Sequence, residues 1–357
     1  MKKHLFLFAA AAVALASCSS DDTIAESSSL SNQQQKEISL FAVNQSATRA
    51  AIEDGVFPTG ESMQVAAYQV EPTASAGNYF PGTTFAYNSA ASSAQSTPIW
   101  SGNPTKRYWP LSACYINFLA YANVTGTAIF GDQLEPAVAS ASKAVITQTD
   151  NSSAQKDLVY AIGNGEVTQP SGNSLVFPPK VGMAFQHAQS LIAFRVKAYD
   201  DAEASAITVK KIILNNAYYA GTFVITHTNY DATTSQSVDG EWTSVSGKKA
   251  TLDVPGSTSI SINKSTFTDA GSVLVVPNST QTTPPTVDPS FDSFTIEYTF
   301  DSKDYSYTYV PTTPSGLILT KATKYVYDIT FKLHEIMINP SVASWGNGGT
   351  GSITIQE

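Results

Sequence analysis

Apolar and polar residues alternate along much of this chain with a period of two, the pattern of strands that bury one face. In Phe294-Thr-Ile-Glu-Tyr-Thr-Phe300 the apolar members are Phe294, Ile296, Tyr298 and Phe300. Asp301-Ser-Lys-Asp304 then turns the chain into Tyr305-Ser-Tyr-Thr-Tyr309, which predicts an antiparallel hairpin. Tyr325, Tyr327, Ile329, Phe331 and Leu333 alternate in the same way. Further strands are predicted over residues 38–43, 63–70, 115–122, 143–147, 157–162, 191–198, 207–214, 221–226 and 272–277. Residues 71–98, rich in Ala, Ser, Gly and Pro, read as a surface excursion containing one strand. The Ala-rich stretch 137–144 reads as at most two turns of helix.

Strands about every ten residues, separated by Gly, Pro and Asn, argue for an all-β fold of packed sheets. The strands fall into two groups. Between them lie Pro170-Ser-Gly-Asn and Phe177-Pro178-Pro179-Lys180, and paired prolines do not sit in a central strand. The expectation is two tandem antiparallel β-sandwich domains, residues 50–180 and 181–357. No repeat of solenoid or propeller length is visible.

The first predicted strand stands apart from both groups. Ile38, Leu40, Ala42 and Val43 are its apolar members, and Asn44-Gln-Ser-Ala followed by Thr48-Arg49-Ala50-Ala51 makes a polar tether after it. Arg49 is the sole Lys or Arg between Lys36 and Lys106, flanked by small residues where a protease reaches extended backbone.

Upstream, Met1-Lys-Lys-His4 is a basic start and Leu5 to Ala16 an apolar run of 12 residues, too short to span a bilayer and right for a secretory signal. It ends in Leu15-Ala16-Ser17-Cys18, which looks like a lipobox with Cys18 as the first mature, lipid-bearing residue. Residues 1–17 are thus the signal, and 18–49 hold a Ser/Gln/Asp-rich tether and the first strand, which is either an ordinary first strand or a removable one. Ser19-Ser-Asp-Asp22 resembles the acidic export tag of Bacteroidetes surface lipoproteins.

Composition narrows the function. Charged residues are 14% of the 357, well below the roughly 25% usual for soluble proteins, and the net charge of −9 is diffuse. With no Lys/Arg cluster, a nucleic-acid partner is not expected. Cys114 is the one thiol besides Cys18, so no internal disulfide can form once Cys18 carries lipid. Its apolar surroundings, Ala113-Cys-Tyr-Ile-Asn-Phe, predict a buried core thiol.

Catalytic signatures are missing from the sequence. His187, His227 and His334 are scattered without HExxH spacing, and no nucleophile elbow, phosphate-binding loop or calcium loop is present. Neither metal nor cofactor is expected, and the chain reads as a non-enzyme. The four tryptophans, Trp100, Trp109, Trp242 and Trp345, read as packing residues at sheet edges, with a sugar-stacking platform as the alternative.

Together these features resemble the fimbrillin family of Bacteroidales, the pilins and accessory subunits of protease-assembled pili. The resemblance rests on Cys18, Ala47-Thr-Arg-Ala50, Arg107-Tyr-Trp-Pro110, Asp157-Leu-Val-Tyr-Ala161, Phe185-Gln-His-Ala188 running into Leu191-Ile-Ala-Phe-Arg-Val196, Val273-Leu-Val-Val-Pro277, Lys324-Tyr-Val-Tyr-Asp-Ile329 and Trp345. Pro277 is followed by Asn278, where the family pattern has Gln. The resemblance implies two transthyretin-like sandwiches and an outer-membrane lipoprotein displayed at the cell surface. It also implies passage through the lipoprotein export machinery and cutting between Arg49 and Ala50 by an arginine-specific protease. Other pilus subunits would then be the partners, through β-strand addition. Ile353 and Ile355, after a Gly-rich lead-in, make a candidate donor strand; alternatively that strand pairs within its own domain, as a tip or anchor subunit would have it. A glycan-binding surface lipoprotein is the competing function.

Overall fold

The structure is a computed structural model that describes residues 35–43, 57, 59–70, 77–95, 97–124, 127–130, 141–148, 156–170, 174–228, 237–245, 249–278, 289–311, 319–332, 335–344 and 353–354. In chain order the strands begin with β1 (Ser39–Val43), β2 (Met63–Val70), β3 (Gly77–Tyr87), β4 (Trp100–Gly102), β5 (Cys114–Ala122), β6 (Thr127–Phe130) and β7 (Ala141–Gln148). There follow β8 (Val159–Val167), β9 (Val181–His187), β10 (Ser190–Ala198), β11 (Ile207–Tyr218), β12 (Gly221–Thr228), β13 (Ser237–Ser244) and β14 (Lys249–Asp253). The last are β15 (Ile260–Ser261), β16 (Thr268–Val275), β17 (Ser293–Phe300), β18 (Lys303–Tyr309), β19 (Thr323–Lys332), β20 (Glu335–Ser344) and β21 (Ile353–Thr354). The all-β expectation holds among these residues. The helices described are short, α1 (Ser89–Gln95) and α2 (Asp201–Ala206), the latter started by an Asp200/Glu203 capping box.

Seven strands close into a barrel in the order β1-β4-β3-β2-β5-β8-β9. β5 shows how the sequence builds it. Ile116, Phe118, Ala120 and Ala122 face the interior with Val65, Trp109 and Met183. The opposite face, Leu119 and Tyr121, packs with Tyr68, Tyr160, Phe223, Ile225 and Trp242. Burial on both faces is why this segment is a nearly continuous apolar run rather than a strict alternation. Gly165 on β8 leaves room for Trp109: a Cβ there would lie 2.4 Å from Trp109 Cη2.

The outer layer on that wall is a four-stranded sheet, β13-β12-β7-β6. It pairs β7 with β12, so it draws strands from both sides of residue 180. The Ala-rich stretch expected as helix enters this sheet: residues 141–144 belong to β7, and residues 137–140 lie outside the described set. Cross-strand partners on β12 outweigh a modest local helix preference.

The rest of the chain forms two facing sheets, β16-β10-β19-β20-β21 and β14-β11-β17-β18, with β15 on β11. Phe194 on β10 and Tyr327 on β19 meet Phe294 on β17 across the gap, with ring centroids 4.9 and 5.0 Å apart. The expected hairpin is present with Phe294 opposite Tyr309 and Phe300 opposite Lys303.

Candidate functional site

β1 is the strand that closes the barrel. On one side it runs parallel to β9, with Leu40 opposite Val181 and Val43 opposite Ala184. On the other it is antiparallel to β4, with Ser39 opposite Ser101 and Leu40 opposite Trp100. The pairing continues upstream: Ile38 N–H donates to Arg107 O at 2.8 Å and Trp109 N–H to Lys36 O at 2.9 Å. Lys106 reaches the Glu37 carboxylate at 3.1 Å.

The side chains follow the alternation read in the sequence. Ile38 and Leu40 are fully buried in the barrel interior, and Ala42 packs partly buried on the same cluster. Phe41 points the other way, with Lys180 Nζ 4.6 Å from its ring centroid. Burying Ile38 and Leu40 is worth on the order of 3–6 kcal/mol together. A whole domain is stable by about 5–15 kcal/mol, so β1 carries a large fraction of that margin. Without β1 the order becomes an open six-stranded sheet whose edges, β4 and β9, carry unpaired backbone groups above an apolar cavity.

The walls of this bed are aromatic. Trp100 comes from β4 and Phe185 from β9, the two strands that flank β1. Phe57, 1% exposed, bridges them, stacked on Phe185 at 4.7 Å and edge-on to Trp100 at 5.5 Å. Phe57 is a site residue the sequence did not flag. It is a lone aromatic in Glu53-Asp-Gly-Val-Phe-Pro58 with no periodic neighbours. It lies downstream of Arg49 in the sequence.

Two segments singled out in the sequence meet at the far end of β9. His187 Nδ1 and Asp157 Oδ2 are 2.6 Å apart, both side chains no more than 1% exposed. Burial pushes the Asp157 carboxyl above the usual carboxylate range, and His187 partly offsets this. Leu158 N–H donates to Gln189 Oε1 at 2.9 Å and Trp242 Nε1–H to Ala188 O at 2.7 Å, so the link from β9 to β10 is pinned. The pair is therefore buried within the fold. Among the described residues no cluster of His, Cys, Asp and Glu could hold a metal.

Three tryptophans are buried: Trp100, Trp109 and Trp242; Trp345 lies outside the described residues. Cys18, Arg49, Ala50 and Ile355 also lie outside them. Ile353 belongs to β21, which pairs with β20 of the same chain, Val342 opposite Ile353 and Ser341 opposite Thr354.

A family model described as fimbrillin-like matches residues 48–345. The chain belongs to the fimbrillin-like family. For this fimbrillin-like chain the match opens at Thr48, so β1 and its bed fall on opposite sides of that border. No curated protein sequence matches the chain. Among solved structures it is similar to a candidate cell adhesion protein of Bacteroides ovatus, at 16% identity and TM-score 0.48, covering 88% of this chain and 99% of that one. It is also similar to the fimbrial anchor protein Mfa2 of Porphyromonas gingivalis, at 10% identity and TM-score 0.33, covering 87% and 98%. The tip fimbrial protein Mfa3 of that organism follows at 13% identity and TM-score 0.39, covering 87% and 100%. The family assignment rests on the sequence match alone.

Proposed function

We propose that this chain is a structural subunit of a cell-surface pilus that takes part in adhesion, exported as a lipoprotein through Cys18 and activated by a cut after Arg49. The observation that carries the reading is β1: a short, early strand whose insertion alone turns an open sheet into a closed barrel. Cleavage between Arg49 and Ala50 unlinks it covalently. A strand from the next subunit then takes its place by β-augmentation, recovering both the backbone ladder and the burial that Ile38 and Leu40 supplied. Repeated head to tail, the contact does not close on itself and builds a filament.

The donor in this reading is the C-terminal segment with Ile353 and Ile355. β21 supports it in being only two residues long and lying at a sheet edge, which makes it inexpensive to release. We further assign residues 50–180 and 181–357 to two tandem transthyretin-like sandwiches.

The test is to treat lipid-free precursor with an arginine-specific protease and follow SDS-resistant ladders. Wild type is expected to ladder after losing residues 18–49, and Arg49→Ala to remain monomeric. Equal polymerisation of Arg49→Ala sinks the proteolytic switch.

A further inference from the structure

The second pair of sheets does not close at one end. Where the β17–β18 hairpin turns and β19 passes into β20, a cleft of about 590 Å³ lies between the sheet edges. Tyr298, Phe300, Tyr305 and Tyr307 line one side, and Lys332 and Glu335 the other. Tyr305 and Tyr307 lie opposite Tyr298 and the buried Ile296 on the neighbouring strand, yet they are 44% and 36% exposed. Tyr305 is held in place, stacked on Tyr298 at 5.7 Å with an angle of 22° between the rings. The cleft thus offers fixed aromatic faces beside phenolic hydroxyls and one charged pair.

We propose that this cleft binds a neutral oligosaccharide. A sugar ring presents a face of C–H bonds and a rim of hydroxyls, which needs an aromatic face with donors and acceptors at its border. The volume suits a few sugar units. Charge argues for a neutral ligand: Lys332 Nζ is 3.6 Å from Glu335 and packs over the Tyr199 ring at 5.3 Å, and the chain carries −9 overall. An anionic ligand would meet no net positive field. A peptide strand is the less favoured occupant, because the β18 edge is guarded by Lys303 and Asp304, the latter bound by Lys210 at 3.1 Å. The site gives the adhesive role a chemistry and does not depend on trimming at Arg49.

The experiment uses the untrimmed, lipid-free chain and four neutral probes: cellotetraose, mannotetraose, xylotetraose and lacto-N-neotetraose. Saturation-transfer NMR and calorimetry read binding. At least one probe is expected to bind, with affinity about tenfold weaker or worse in Tyr307→Ala and Tyr305→Ala and retained in Tyr305→Phe. Both alanine changes are at exposed positions, and thermal melting confirms that the variants fold. No binding by any probe up to about 10 mM overturns the proposal. So does binding that survives both alanine changes, or a peptide of residues 345–357 that occupies the cleft in place of sugar.

Discussion

Leu40 carries much of the burial by which β1 closes the barrel. Fully buried between Trp100 and Val181, it is expected to cost the precursor about 2–5 kcal/mol when changed to Ala, read by urea unfolding. Phe41→Ala, on the outer face, is expected to cost well under that. Cys114 behaves as the sequence led one to expect, a buried thiol raised to about 11 by burial. In a Cys18→Ser chain it is expected to resist iodoacetamide at pH 8 until the fold is opened by denaturant. Asp157 gives a pH signature. Its folded-state pKa is raised, so the stability it contributes is complete below the unfolded value near 4 and is lost as pH rises through the folded value. The stability of wild type minus that of Asp157→Asn is therefore expected to fall from about pH 4 upward, measured by denaturant titration at a series of pH values. Neither the Asp157–His187 contact nor the place of Phe57 was legible in the sequence, since both depend on which strands become neighbours.

Among elements, legibility followed how one-sided each strand's burial is. β17 and β19 alternate plainly because one face meets the opposite sheet. β13, Ser-Val-Asp-Gly-Glu-Trp-Thr-Ser, gave no such signal; Gly240 sits where a Cβ would come within 2.5 Å of Phe223 Cζ, so close packing replaced an apolar side chain. β20 was hidden by Pro340, which argues against a central strand. The structure accommodates it because, among the described residues, β20 meets only the two-residue β21 on its outer side, at Ser341 and Val342. β1 was legible as a strand, and of its apolar residues Ile38 and Leu40 are buried and Ala42 partly so. Its role as the closing strand was not, because both neighbours lie far along the chain. Gly165→Val tests the packing behind that bed: it would drive into Trp109 and is expected to cost about 1–3 kcal/mol, read by thermal unfolding.

At the scale of the whole molecule, the sequence separated two strand groups at residues 170–180, while the β7–β12 pairing laces an outer sheet across that point. Long-range pairing of this kind leaves no local trace, which is why the outer sheet was not foreseen. It also gives the bed of β1 a rigid back wall, with β2, β5 and β8 held from both sides. Under the proposed strand exchange, a bed so supported would keep its shape when the closing strand leaves. The most direct measurement adds excess synthetic peptide spanning residues 35–43 to protease-trimmed chain and follows ladder formation. If the vacated β1 bed is the acceptor, that peptide stops the ladders and a scrambled peptide does not. Ladders that form unchanged in its presence would contradict the account.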